Sequence, residues 1–220
     1  MADGFEQMIH DARAFLAELS ANNTRAWYEE NKAQYVEGVK TPAEFFLSLL
    51  SEDLARVTGA PVKPKLFRIH RDVRFSKDKT PYNTHLHLMW SPVEGHALTP
   101  SWFFGLGEGY FMLGLGVMGL QGDSLARFRV FIDRDGDALQ AALDQAGEKG
   151  ARISDWGPAP LKRVPKPYAP DHPHGALLKR KALAITAEMP DDWEATGLIK
   201  AVNTRVADLL PVYRVFSGAA

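Results

Sequence analysis

With 220 residues, 45% of them hydrophobic and 24% charged, the chain has an ordinary globular composition and enough length to bury roughly 70% of its unfolded surface around one core. Cysteine is absent, which excludes disulfides, thiolate metal sites and cysteine nucleophiles. The formal net charge of −1 is uneven: residues 61–82 and 162–181 each sum to +5 and leave −11 for the rest, which favours a local anion site over the broad basic footprint of a nucleic-acid binder.

The opening MADGFEQMIHDARAFLAEL lacks a basic stretch followed by an apolar core, and no window reaches the length of a membrane span, so a cytoplasmic protein without a membrane partner is expected. Phe5, Met8, Ile9, Ala12, Phe15, Leu16 and Leu19 recur at helical spacing and predict a helix over 5–20 that ends at Asn22-Asn23. Thr24 suits the N-cap of a second helix through Trp27, Asn31 and Tyr35, weakened by Gly38. Thr41-Pro42-Ala43-Glu44 reads as the capping box of a third, whose apolar run from Phe45 to Leu54 stops at Gly59-Ala60-Pro61.

Beyond Pro64 the apolar period changes to two, first over 65–75 and 84–90 with the charged loop SKDKTPYN between them, then over 101–106 and 110–117 around Gly107-Glu108-Gly109. The pattern predicts two hairpins in one antiparallel sheet. The glycines of GLGEGY and GLGVMG match neither a dinucleotide fingerprint nor a phosphate loop, and are expected to serve hairpin turns. Residues 124–133 and 136–147 read as helices broken at Asp135. The six prolines between Trp156 and Pro173 predict an extended crossover, with helices over 174–189 and 194–210 after it. The fold class is therefore α+β in a single domain over 1–220: helices over about 5–58, a hairpin sheet over about 65–117, then helices and the Pro-rich crossover over about 122–210.

The stretch Phe67–His87 carries the chemistry. Phe67, Ile69, Val73 and Phe75 fall on one strand parity, and Arg68, His70, Asp72 and Arg74 on the other. Like charges in a row repel, so this face calls for water, internal pairing or an anionic partner. Arg68, Arg71, Arg74, Lys77, Lys79 and Tyr82 are the candidate ligand-binding residues, with Asp72 and Asp78 orienting the arginines. Arg71 lies on the apolar parity, and a buried ion pair is the expected resolution. His70, Asp72 and His85 are candidates for acid–base catalysis, with Ser76, Thr80 and Tyr82 as the available nucleophiles. His70, His85 and His87 fall on one face of the predicted hairpin, where they and Asp72 have the donor types of a zinc, iron or manganese site. The nearby arginines oppose a dication, so no metal is assigned and the cofactor stays open. KRVPKPYAPDHPHGALLKRK is either a solvated surface crossover or the second wall of the same anion site.

RDVRFSKDKTPY, KRVPKPYAPDHP, FLAEL, NNTRAWYEENKAQY and LLKRK together resemble an uncharacterised bacterial and fungal family, domain of unknown function 2461. The resemblance places Arg68, Arg71, Asp72, Arg74, Phe75, Ser76, Lys77, Asp78, Lys79, Pro81 and Tyr82 on that family's signature, and Asn83 where it usually carries a lysine. It implies no activity. The residues themselves predict a small phosphate- or carboxylate-bearing ligand in a cleft between the charged hairpin and the Pro-rich crossover. The alternatives are a hydrolase or transferase using His70, His85 or His87, and a nucleic-acid or protein interaction module.

Overall fold

A computed structural model describes residues 4–96 and 98–218; residues 1–3, 97 and 219–220, within the expected domain, lie outside the described residues. Helix α1 (Glu6–Ala21) buries Met8, Ile9, Ala12, Phe15, Leu16 and Leu19, the apolar stripe read from the sequence. The hydroxyl of Thr24 accepts the Trp27 N–H and starts α2 (Arg25–Gln34). The chain does not then break. A π-helical stretch (Tyr35–Lys40) leads straight into α3 (Thr41–Thr58), so Thr41 is helical and caps nothing. Gly38 weakens no helix end; a Cβ there would lie 3.2 Å from the Asp11 carboxylate, so its missing side chain lets α1 approach closely.

Six antiparallel strands follow in the spatial order β1-β2-β3-β4-β6-β5. They are β1 (Val62–Leu66), β2 (His85–Pro92), β3 (Ser101–Gly107), β4 (Tyr110–Val117), β5 (Arg152–Ile153) and β6 (Leu183–Glu188). The α+β architecture matches the sequence reading, and the β3–β4 hairpin falls where expected. The first hairpin is shorter than expected. Between β1 and β2 the pairing thins to one bridge, His70 with Tyr82, and to the backbone bonds Asn83 N–H to Ile69 O (2.7 Å) and Arg71 N–H to Pro81 O (2.8 Å). Asn23, at the α1–α2 break, both accepts from the Tyr82 N–H (3.1 Å) and donates to the Tyr82 carbonyl (3.0 Å), which takes that backbone out of a regular ladder.

Three further differences lie in the C-terminal half. The expected helices over 124–133 and 136–147 are one helix, α4 (Gly122–Glu148), with no break at Asp135; Gly136 within it gives room to the His174 ring, which a Cβ there would overlap. The expected helix over 174–189 shrinks to α5 (Gly175–Leu178), and Leu183–Glu188 inserts as β6 between β4 and β5. Leu183, Ala184, Ile185, Thr186 and Ala187 are buried in succession, on both sheet faces, which suits an interior strand with β-branched residues. Finally, α6 (Trp193–Thr196) and α7 (Leu198–Ser217) divide at Gly197, whose φ of 89° ends the first.

One sheet face carries the core. Leu86, Leu88 and Trp90 of β2, Trp102 and Phe104 of β3 and Leu113 and Leu115 of β4 pack on the helices. Phe46 of α3 meets Phe104 with ring centroids 5.3 Å apart, the Trp90 indole N–H donates to Leu47 O (3.0 Å), and Tyr213 of α7 stacks on Trp102. The opposite face carries His85, His87, Phe103, Tyr110, Met112 and Thr186 among Gly105, Gly107, Gly114 and Gly116, and is overlain by Trp156 and Met118 from connecting segments. Of the six glycines in GLGEGY and GLGVMG, Gly109 has the positive φ of the β3–β4 turn and Gly119 a positive φ just beyond β4, while Gly105, Gly107, Gly114 and Gly116 lie within strands. No described helix is long and apolar enough to cross a membrane.

Candidate functional site

The charged loop between β1 and β2 is held by its own charges. Arg71 Nη1 reaches Asp78 Oδ2 at 2.5 Å and also donates to the carbonyl (3.1 Å) and the hydroxyl of Thr80. This is the ion pair that parity calls for, but it is a partly exposed one at a bend outside any strand. Hydrogen bonds from the Thr80 backbone and from Arg71 pull the Asp78 carboxyl down to about 2. Arg74 grips Asp72 in a two-pronged pair (2.9 and 2.7 Å), which lowers the Asp72 pKa and raises that of Arg74. Lys79 Nζ donates to Val73 O (2.9 Å).

Three of the five expected anion-binding cations are thus engaged within the loop, while Arg68 and Lys77 make no side-chain hydrogen bond or ion pair among the described residues. Tyr82, expected at the ligand, is a buried anchor stacked on Tyr28 at 4.3 Å. Phe75, expected on the apolar face, is 96% exposed at the loop tip. Neither Ser76 nor Thr80 hydrogen-bonds an imidazole among the described residues; the Thr80 hydroxyl bonds Asp78.

The three candidate histidines divide. His70 packs edge-to-face with Tyr28 and Tyr82 on the helix side, and Asp72 faces Arg74 instead of it. His85 and His87, two apart on β2, stack with centroids 3.8 Å apart on the opposite sheet face. No group of three or more His, Asp or Glu among the described residues is arranged to hold a metal ion.

Around His87 the fold builds a pocket of about 180 Å³. Phe67, Phe103, Met112 and Trp156 wall it, Gly114 opens its floor, and Thr186 adds a hydroxyl. His87 Nε2 shares a 2.8 Å hydrogen bond with the Tyr110 hydroxyl, and Trp156 lies 5.7 Å from the His87 ring and edge-on to Tyr110. Burial, with a smaller contribution from His85, presses the His87 pKa down to about 4, and burial lowers that of His85 too. Both imidazoles are therefore neutral at pH 7. Burial also raises the Tyr110 pKa, so the pair offers hydrogen bonds without charge. The Lys65 ammonium sits 4.5 Å from the centre of the Phe67 ring, one wall of the pocket. Neither His85 nor His87 bonds a carboxylate among the described residues.

The two basic segments do not meet as one cleft. The charged hairpin runs into His85, which pairs with Gly107 beside Tyr110; the basic crossover runs into Leu183, which pairs with Val117 at the far end of β4. They also flank opposite edges of the sheet. Trp156 reaches the His87 face, whereas the crossover cations line a separate hollow. Sequence reasoning missed Tyr110 and Trp156. The available signal was the i, i+2 spacing of Gly105 and Gly107 in β3 and of Gly114 and Gly116 in β4, which the hairpin register brings onto one face.

Residues 11–214 match a family described as conserved hypothetical protein (DUF2461). Comparison with curated proteins gives no match.

Proposed function

The chain belongs to the DUF2461 family, whose description assigns no activity, and from its geometry we propose that it binds a small molecule with a flat apolar body and an anionic group. The observation that carries this reading is the pocket on the open sheet face with Gly114 in its floor, apolar except for Thr186 and for His87, whose Nε2 bonds the adjoining Tyr110 hydroxyl. At about 30 Å³ per water its volume matches about six waters, the size of a one- or two-ring ligand. Trp156 and Phe67 stack on the ring, and the Tyr110 oxygen, bonded once to His87, keeps capacity for a second hydrogen bond. Neutral imidazoles hold no anion, so the charged group faces Lys65 at the Phe67 wall. In the charged hairpin Arg68 and Lys77 keep the anion-attracting role, while Arg71, Arg74 and Lys79 are struts that hold the loop.

Thermal denaturation with a panel of aromatic carboxylates and phosphates, including indole-3-carboxylate and phenyl phosphate, tests the proposal. At least one is expected to raise the melting temperature of the protein, and Trp156→Ala and His87→Ala are expected to abolish the shift. Trp156 is 44% exposed, so its truncation leaves the fold intact. No shift across the panel at millimolar concentration, or a shift that survives Trp156→Ala, overturns the reading.

A further inference from the structure

The crossover between β5 and α5 forms a second hollow, of about 740 Å³, distinct from the His87 pocket and within the range of small-ligand sites. Lys162, Arg163, Lys166 and Lys179 line it together with Tyr168, and no Asp or Glu does. None of the four cations has an ion pair or a side-chain hydrogen bond among the described residues. The carboxylates of α4 that face this segment are already committed: Asp133 binds His172 Nε2 at 3.0 Å and Asp137 binds His174 Nε2 at 2.9 Å. Asp171, the segment's own acid, is not part of the lining.

The backbone that carries these cations is fixed before any ligand arrives. Leu161 N–H donates to Lys179 O (2.8 Å), Tyr168 N–H to Pro165 O (3.2 Å) and His172 N–H to Ala169 O (3.1 Å). Val164 and Tyr168 pack against the core, and the prolines remove backbone freedom. Four like charges around one hollow repel one another, and no described Asp or Glu lines it or pairs with any of them. We propose that this hollow is a binding site for a small oligophosphate, such as the phosphate chain of a nucleoside di- or triphosphate. Lysines act as mobile point charges on phosphate oxygens, Arg163 adds a planar fork, and the Tyr168 hydroxyl donates a hydrogen bond. An extended nucleic acid is disfavoured, because the chain outside its two basic segments carries −11 and repels a long polyanion.

Calorimetric titration of the whole chain with inorganic phosphate, pyrophosphate and tripolyphosphate, at about 50 and about 200 mM salt, decides the matter. Affinity is expected to rise with phosphate number at one site per chain and to weaken as salt rises. Lys162→Ala with Lys166→Ala is expected to lower tripolyphosphate affinity at least roughly tenfold. Lys179→Met, which keeps the packed stem, is expected to lower it roughly fivefold with an unchanged circular dichroism spectrum. Trp156→Ala is expected to leave it unchanged, which separates this site from the one proposed on the open sheet face. Equal tripolyphosphate affinity in the protein and its Lys162→Ala/Lys166→Ala variant overturns the proposal. So does binding of a single-stranded oligonucleotide without binding of tripolyphosphate.

Discussion

Arg71 and His87 show how differently two single residues declare themselves. Arg71 carries a charge where its strand parity wants an apolar group, and the conflict is visible in seven neighbouring letters; its partners Asp78 and Thr80 lie within the same loop. His87 stands out in sequence only as a histidine two residues from His85, because its environment comes from afar: Tyr110 from β4 and Trp156 from the crossover. Its folded pKa of about 4 against the ordinary 6.5 sets a pH dependence. In the unfolded chain the imidazole takes a proton as pH falls through 6.5, while in the folded chain it resists until about 4. The unfolded state therefore binds more protons inside that window, and stability present above it is lost as pH drops through it. The full loss is roughly 3 kcal/mol. Urea denaturation at pH 7.5 and 4.5 checks this: the stability difference between the protein and His87→Gln is expected to shift by that order against the protein at the lower pH. A difference that stays constant would mean that His87 protonates as readily folded as unfolded.

At the level of elements, legibility follows how local the determinants are. The apolar stripe of α1, the Thr24 cap and the β3–β4 hairpin are written in neighbouring residues and were readable. The inserted strand β6 was not, because Leu177, Leu178 and Leu183 mimic helical spacing while the strand's hydrogen bonds go to β4, far away in sequence. The glycines of β4 were misread for the same reason: what they accommodate is not a turn but the neighbouring strand. A Cβ on Gly116 would overlap the Leu183 carbonyl and the Ala184 backbone, whereas one on Gly105 would stand 3.2 Å from the edge of the Tyr110 ring, a side chain that can give way. Gly116→Ala is therefore expected to destabilise the protein by roughly 2–3 kcal/mol, and Gly105→Ala by less than about 1 kcal/mol. Equal urea midpoints for the two variants would show that the close approach of β4 and β6 is not what Gly116 serves.

Across the whole molecule, the order of helices, hairpins and helices gave the fold class, yet placing the site needed the sheet order, which the sequence does not encode locally. With both basic segments at +5, charge counting alone merges them; strand order puts them at opposite corners and turns one expected cleft into two separate places. The core behaves in the opposite way and joins what the sequence separates. Phe46 of α3 packs on Phe104 of β3, Trp102 of β3 stacks on Tyr213 of α7, and Phe131 of α4 stacks on Phe216 of α7, all within one contiguous cluster. Because the N-terminal and C-terminal helices share that cluster through a single sheet, neither set can leave without exposing the apolar face that the other also covers. One cooperative unfolding transition is therefore expected for the chain, with tryptophan fluorescence and far-UV circular dichroism giving the same midpoint. Phe46→Ala and Phe216→Ala, at opposite ends of the chain and both fully buried, are each expected to lower its stability by roughly 3–5 kcal/mol while keeping the transition single. Two separated transitions, or a variant that shifts only one spectroscopic probe, would show that the helices at the two ends belong to independent units.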